Sequence, residues 1–136
     1  MDYLTDLAND EEIDSYNQSL QDFFAQKMDV DRFTATRLQM GIYGQRQDGV
    51  NMVRIKVPGG RLNISQLDAI ADVIEKHVQS GEAHVTTRQD IQLHYVPLAD
   101  TPAVIRHLAK GGLTTREACG NTIRNVTACP LTGVCS

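Results

Sequence analysis

The amino-acid sequence predicts an α+β fold, an antiparallel or mixed sheet with helices on one face, and three observations carry that reading. Val53-Arg54-Ile55-Lys56-Val57 alternates with the period of a strand, apolar residues on one parity and cations on the other. Further along, Val85-Thr-Thr-Arg-Gln-Asp-Ile-Gln-Leu-His94 repeats the arrangement, with Ile91, Leu93 and Tyr95 opposed to Arg88, Gln92 and His94. Between and after these strings lie two segments of helical period, each with its own start and stop residues.

The elements follow in order. Residues 10–27 form an amphipathic helix with Ile13, Leu20, Phe23 and Phe24 as its buried stripe and acids in its first turn, where the helix dipole favours them. Residues 35–43 and 50–57 are paired strands around the turn-forming run Gly44-Gln45-Arg46-Gln47-Asp48-Gly49, and Pro58-Gly59-Gly60 closes the second strand. A helix then starts at Ser65 as N-cap, buries Leu67, Ile70, Ala71, Ile74 and Val78, and stops at Gly81. Residues 83–95 are a strand pair or one broken strand. Thr101 caps a second helix, with Pro102 at its first position and Gly111-Gly112 at its end. Residues 121–128 make a last strand, for an order ββαβαβ with helices on the apolar face of the sheet.

Charge is unevenly spread. The net of −4 argues against a nucleic-acid binder. Residues 1–31 hold nine acids against Lys27, a net of −8, whereas residues 32–136 hold twelve Lys and Arg against eight acids, a net of +4. An acidic arm attached to an anion-handling body fits this split, and so does a solubilising leader. The 136 residues allow one domain. No apolar run is long enough to span a membrane, and Met-Asp-Tyr-Leu-Thr-Asp lacks the basic start of a signal peptide. The three cysteines, an odd number, fit a reducing compartment, so the expected setting is cytoplasmic.

From about Phe33 to Val126 the chain resembles the N-terminal part of the siroheme-dependent nitrite and sulfite reductases. The strings that carry the resemblance are Arg-Leu-Gln-Met-Gly-Ile-Tyr-Gly-Gln-Arg-Gln, Met-Val-Arg-Ile-Lys-Val-Pro-Gly-Gly, Val-Thr-Thr-Arg-Gln-Asp-Ile-Gln-Leu-His and Ile-Arg-Asn-Val. The resemblance implies a ferredoxin-like half domain over residues 32–112, after an acidic helical arm at 1–31 and before the truncated start of a siroheme and 4Fe–4S domain at 113–136. It implies reduction of nitrite to ammonia or of sulfite to sulfide by six electrons from ferredoxin or a reductase subunit; the shared strings do not choose between the two substrates. By motif, Arg54 and Arg124 match the arginines that hold the substrate anion. Thr86, Arg88, Gln92 and His94 match residues that meet the siroheme carboxylates, with Asn125 and Lys56 beside them. Taken singly, each of these fits a solvated charge on the wet side of a sheet. Taken together with the resemblance, they point to an anion site, since a buried carboxylate or oxyanion needs a partner and arginine offers a bidentate one.

An iron–sulfur cluster needs thiolates. Cys129-Pro-Leu-Thr-Gly-Val-Cys135 has the family's five-residue spacing, but it directly follows Arg124, where relatives carry a Pro-x-x-Gly loop, and the downstream C-x3-C pair is absent. Cys119 reads as a small buried residue. His77 and His107 fall on helices, His84 opens a strand, and no close metal-ligand spacing links the histidines, so no metal ligands are assigned. The chain therefore reads as a fragment of a longer reductase, expected to bind neither cofactor alone and to be inactive without the rest of its parent chain. Two other functions fit the same arginine face: a non-catalytic anion-binding module, and a half domain that docks another part of its parent. Gly59-Gly60 and Gly111-Gly112 lack the loop-to-helix pattern that a phosphate loop would need.

Overall fold

The computed structural model describes residues 9–135, so the first eight residues of the acidic arm and Ser136 lie outside the described residues. Helix α1 (Asp10–Phe24) begins at Asn9, whose side chain accepts from the Glu12 N–H at 3.2 Å, and it places Asp10, Glu11 and Glu12 at its positive end. Its buried stripe is Ile13, Tyr16 and Leu20. Phe24, expected inside, is half exposed because Tyr16 holds the inward position one turn after Ile13. Phe23 instead stacks on Phe33, with ring centroids 4.3 Å apart. Helix α1 is thus seated in the common core. Its Tyr16 hydroxyl lies 2.7 Å from Thr101 Oγ1, and Thr101 donates its one proton to the Leu98 carbonyl, so Tyr16 is the donor. Burial pushes the Tyr16 phenol up to about 12.

Residues 35–43 are not a strand. Helix α2 (Val30–Gln39) starts at Asp29, whose carboxylate accepts from the N–H groups of Asp31 and Arg32, and only Ile42–Gly44 form strand β1. The alternation of Leu38, Met40 and Ile42 imitates a strand, but Gly41 breaks it with φ +77°. A Cβ there would lie 2.1 Å from the Thr115 carbonyl oxygen, so only glycine lets the chain pass.

Strands β2 (Val50–Ile55), β3 (Ala83–Val85) and β4 (Ile91–Pro97) complete a four-stranded sheet of order β1-β2-β4-β3, antiparallel throughout. Helices α3 (Ile64–His77) and α4 (Thr101–Lys110) cover its apolar face with α1, giving the order ααββαββα. Asn63, not Ser65, caps α3, through a reciprocal box with Gln66. Helix α3 ends at His77, with Val78 as its C-cap, ahead of the expected stop at Gly81. Its buried residues are Gln66, Ala69, Ile70 and Val73, while Leu67 is half exposed and Ala71 exposed. Gln66 Nε2 donates to the Gly112 carbonyl at 3.0 Å, and that bond turns the neighbouring face inward. In α4 the Thr101 side chain caps nothing; it bonds Leu98 and Tyr16 instead.

The core runs between sheet and helices through Val53, Ile55, Leu93, Val96, Val73, Val104 and Leu108, all buried. Each such side chain stabilises the fold by about 1.5–3 kcal/mol relative to exposure. Tyr95 breaks the parity of β4: its φ of +58° shifts the alternation, so Val96 takes the core position and Tyr95 turns outward. The expected strand at 121–128 does not form; just beyond β2, Lys56 makes an isolated bridge to Thr114.

Candidate functional site

On the face away from the helices, Arg54 of β2 is the register partner of Gln92 of β4, which in turn pairs with His84 of β3. One polar row therefore crosses three strands. Above it opens a cleft of about 570 Å³ lined by Arg54, Arg88, Gln92, His94 and Arg124, five of the residues singled out from the sequence. Thr86 and Asn125 stand beside the cleft. Thr86 Oγ1 accepts from the N–H groups of Arg88 (3.3 Å) and Asp90 (3.1 Å), closing the turn that presents Arg88. Asn125 Nδ2 donates to the Val57 and Arg88 carbonyls at 2.9 and 2.7 Å, which ties the Arg124 segment to β2 and to that same turn. Lys56 does not line the cleft.

These contacts explain why 121–128 is not a strand. Its backbone groups are met by side chains and by one loop amide. Gln89 Nε2 donates to the Ala128 carbonyl (2.7 Å), the Ala128 N–H donates to Gln89 Oε1 (3.0 Å), and the Gly59 N–H donates to the Val126 carbonyl (2.8 Å). Gly60, at φ +67°, leaves room for Gln89, whose side chain would lie 2.8 Å from any added Cβ.

Arg54 Nη1 and Arg124 Nη1 both donate to the Ala118 carbonyl, at 3.3 and 3.1 Å. With the Gln92 amide oriented so that its oxygen faces the guanidinium, it accepts from Arg54 Nε at 3.2 Å and from Nη2. Among the described residues, no carboxylate pairs with Arg54, Arg88 or Arg124. Asp90 is the buried acid beneath them; it accepts from the Val57 N–H at 3.1 Å. Burial raises its pKa, against the opposing pull of Arg54, Lys56 and Arg88. Tyr43 is held below the usual phenol range by hydrogen bonds from Arg124 and from the Gly120 N–H. His94 is lowered first by burial and then by His84, whose ring meets it edge-on at 4.9 Å. Cys119 is buried, and burial pushes its thiol up to about 11.

Sequence reasoning missed Arg46, which lines the same cleft with Tyr43 and Gln45. The loop between β1 and β2 read only as a turn. Gln45 Oε1 accepts from the Tyr95 N–H at 2.7 Å and the Leu98 N–H donates to the Gly49 carbonyl, so the loop leans over β4 and brings Arg46 with it. The available signal was a cation in a hairpin whose strands both face the polar side.

A larger groove of about 840 Å³ lies on the helical side, with Asp72 and Arg106 on its walls. Its arginine is matched: Arg106 bonds Asp10 and Asp14, and Asp72 faces Lys76 and His107. Lys110 and Asp68 also line it, so unlike the cleft it sets carboxylates among its cations. Among the described residues there is no cluster of three or more His, Cys, Asp or Glu able to hold a metal, and no helix is long and apolar enough to cross a membrane.

Fold and site together define a small α+β half domain with an arginine-lined cleft on its open sheet face. The chain matches the nitrite/sulfite reductase ferredoxin-like half domain over residues 43–111, and it belongs to that family. It is 32% identical over 96 residues to a ferredoxin–nitrite reductase of Leptolyngbya laminosa, covering 70% of this chain and 19% of that protein. An assimilatory ferredoxin-dependent nitrite reductase of Haloferax mediterranei is 36% identical over 104 residues, 68% of this chain and 18% of that one. The chloroplastic ferredoxin–nitrite reductase of Arabidopsis thaliana is 32% identical over 119 residues, 86% of this chain and 20% of the relative. The chain thus spans about a fifth of the length of these relatives. The solved structure of the Mycobacterium tuberculosis NirA protein shares the fold with a TM-score of 0.73 at 24% identity, over 90% of this chain and 26% of that one.

Proposed function

We propose that this chain is the N-terminal portion of a siroheme-dependent nitrite or sulfite reductase, working in the cytoplasm, and that its cleft holds anionic groups of cofactor and substrate. The observation that carries the reading is the convergence of Arg54 and Arg124 on one carbonyl with no carboxylate, among the described residues, in an ion pair with either. Two like charges held together favour an anion between them, and their remaining N–H groups are free to donate. The relatives' names supply nitrite as substrate and ferredoxin as donor; sulfite rests on the family's name.

The residues present fit a tetrapyrrole fringed with carboxylates. Arg88 is exposed at the rim with no ion pair among the described residues, and Gln92 and the half-buried His94 stand beside it as hydrogen-bonding groups. Thr86 and Asn125 act through the turn and the bridge that fix Arg88. Siroheme, when bound, supplies the iron at which the oxyanion is reduced. Arg54, oriented by Gln92, and Arg124, anchored on Ala118, hold the substrate anion and offset its charge as oxygens leave as water. The thiols do not fit a four-iron cluster: Cys119 is buried, and Cys129 and Cys135 are two where four are needed. In this reading the cluster ligands come from the rest of the parent chain.

The test on the chain itself is an NMR titration with nitrite and with sulfite. The expected result is saturable movement of the Arg54 and Arg124 side-chain Nε–H signals and of the Gly120 amide beside them. Movement confined to Lys76, Lys110 and other cations away from the cleft would overturn the assignment.

A further inference from the structure

The segment after Arg124 carries two thiols that the anion reading does not use. Cys129 and Cys135 are both exposed, whereas Cys119 is buried. The five residues between them fold back in overlapping turns. The Thr132 N–H donates to the Cys129 carbonyl at 3.0 Å, and the N–H groups of Val134 and Cys135 both donate to the Leu131 carbonyl, at 3.0 and 3.2 Å. Gly133, at φ +87°, allows the reversal. The Cys135 thiol also donates to the Leu131 carbonyl at 3.2 Å, so its sulfur lies back over the turn. Residues 130–134 are exposed and bury nothing that a small backbone adjustment would disturb. A disulfide needs its two Cα atoms near each other and its Cβ vectors facing. An exposed turn with both thiols at its ends can meet that requirement.

The residue before Cys129 is Ala128, half of the reciprocal amide clip with Gln89. Gln89 directly follows Arg88, which lines the cleft. Strain or stiffening at Cys129 therefore has a short mechanical route to one arginine of the site.

We propose that Cys129 and Cys135 form a reversible dithiol–disulfide pair, oxidised by a small-molecule disulfide such as oxidised glutathione, and that closure is felt at Arg88 through the Gln89–Ala128 clip. The Cys129 thiolate attacks one sulfur of oxidised glutathione, breaking its S–S bond, forming a mixed disulfide and releasing one glutathione thiolate. The Cys135 thiolate then attacks the Cys129 sulfur, closing the internal bond and releasing the second. The dithiol loses two electrons and two protons; one oxidant disulfide becomes two thiols. Cys119 serves as the internal control, because burial keeps it both shielded and protonated.

The experiment treats the chain with oxidised glutathione, quenches with acid and maps the products by mass spectrometry. The expected product is lighter by two hydrogens, carries a 129–135 link, retains Cys119 as a thiol and reverts with dithiothreitol. Cys129→Ser and Cys135→Ser should each stop at one mixed disulfide on the remaining exposed thiol. A wild-type chain that ends with two glutathione adducts and no internal link overturns the pair. Amide spectra test the transmission: closure should move the Arg88 and Gln89 signals, and Gln89→Ala should keep the disulfide while losing the Arg88 movement. A closed wild type with both signals unmoved overturns the coupling, and Cys119 reacting as fast as the other two overturns the exposure argument.

Discussion

On the helical side, Arg106 lies between Asp10 and Asp14, Arg116 faces Glu12, and Asp72 is shared by Lys76 and His107. On the sheet side, Arg54 and Arg124 lean on one neutral carbonyl, and among the described residues no acid forms an ion pair with Arg88. The two faces are built from the same residue types to opposite ends. The helical pairs join α1 to α4 and to the loop after it, whereas the sheet-side cations are gathered without an ion-paired acid among the described residues. The chain's overall negative charge hides this, because nine of its seventeen acids sit in residues 1–31, and Asp10, Glu12 and Asp14 among them pair with Arg106 and Arg116.

The helical side should hold most of the stability. Leu20→Ala removes a fully buried side chain that joins α1 to the core, and it should cost about 2–5 kcal/mol in chemical denaturation. A loss near zero would mean that α1 is an appendage.

The sheet side should hold the function. In the complete reductase, Arg54→Ala should retain siroheme but lose about a hundredfold in turnover per bound siroheme, the usual effect of deleting one electrostatic donor to a reacting anion. Arg88→Ala should instead lower siroheme absorbance per protein, since a cofactor carboxylate would be left unpaired. The reverse pattern would exchange the two roles.

A smaller effect is expected at His94, whose folded pKa lies below its ordinary value through burial and then His84. The unfolded chain protonates first as pH falls, so the stability tied to neutral His94 is present above the unfolded pKa of about 6.5 and is lost as pH drops toward the folded value. His94→Gln should flatten that part of the pH–stability curve. NMR titration should also show the His94 pKa rising when nitrite occupies the cleft, because a nearby anion favours the imidazolium. The smallest effect belongs to Arg106→Gln. Its pairs are exposed, so stability should change little and the change should vanish at high salt.

Much of this contrast was legible in the residues. The alternation in β2 and β4 is simple enough that Arg54 and Gln92 fell on one face with Val53, Ile55, Ile91 and Leu93 on the other. The rest depended on contacts that periodicity does not encode. Leu38, Met40 and Ile42 alternate like a strand, and only the Asp29 cap and the tight passage at Gly41 disclose α2. Tyr95 obeys the parity of β4 until its positive φ moves Val96 inside. The inward face of α3 was settled by Gln66, a polar residue that no hydrophobic pattern would choose, through its bond to Gly112. Arg46 joined the cleft through Gln45, by a contact between residues fifty positions apart.

The segment bearing Arg124 has a kinetic consequence of its own. It is fastened to the body by Asn125, Gln89 and the Gly59 amide, with no strand ladder and little buried apolar surface of its own. Such a segment can detach while β2 and β4 stay paired, at a free energy well below that of global unfolding. In native-state hydrogen exchange, the Gly59 and Ala128 amides should therefore open together and early, ahead of Val53 and Leu93. The arginine pair would then be the last feature to assemble during folding and the first to come apart, so that an anion bound between Arg54 and Arg124 would act as the latch that closes the domain.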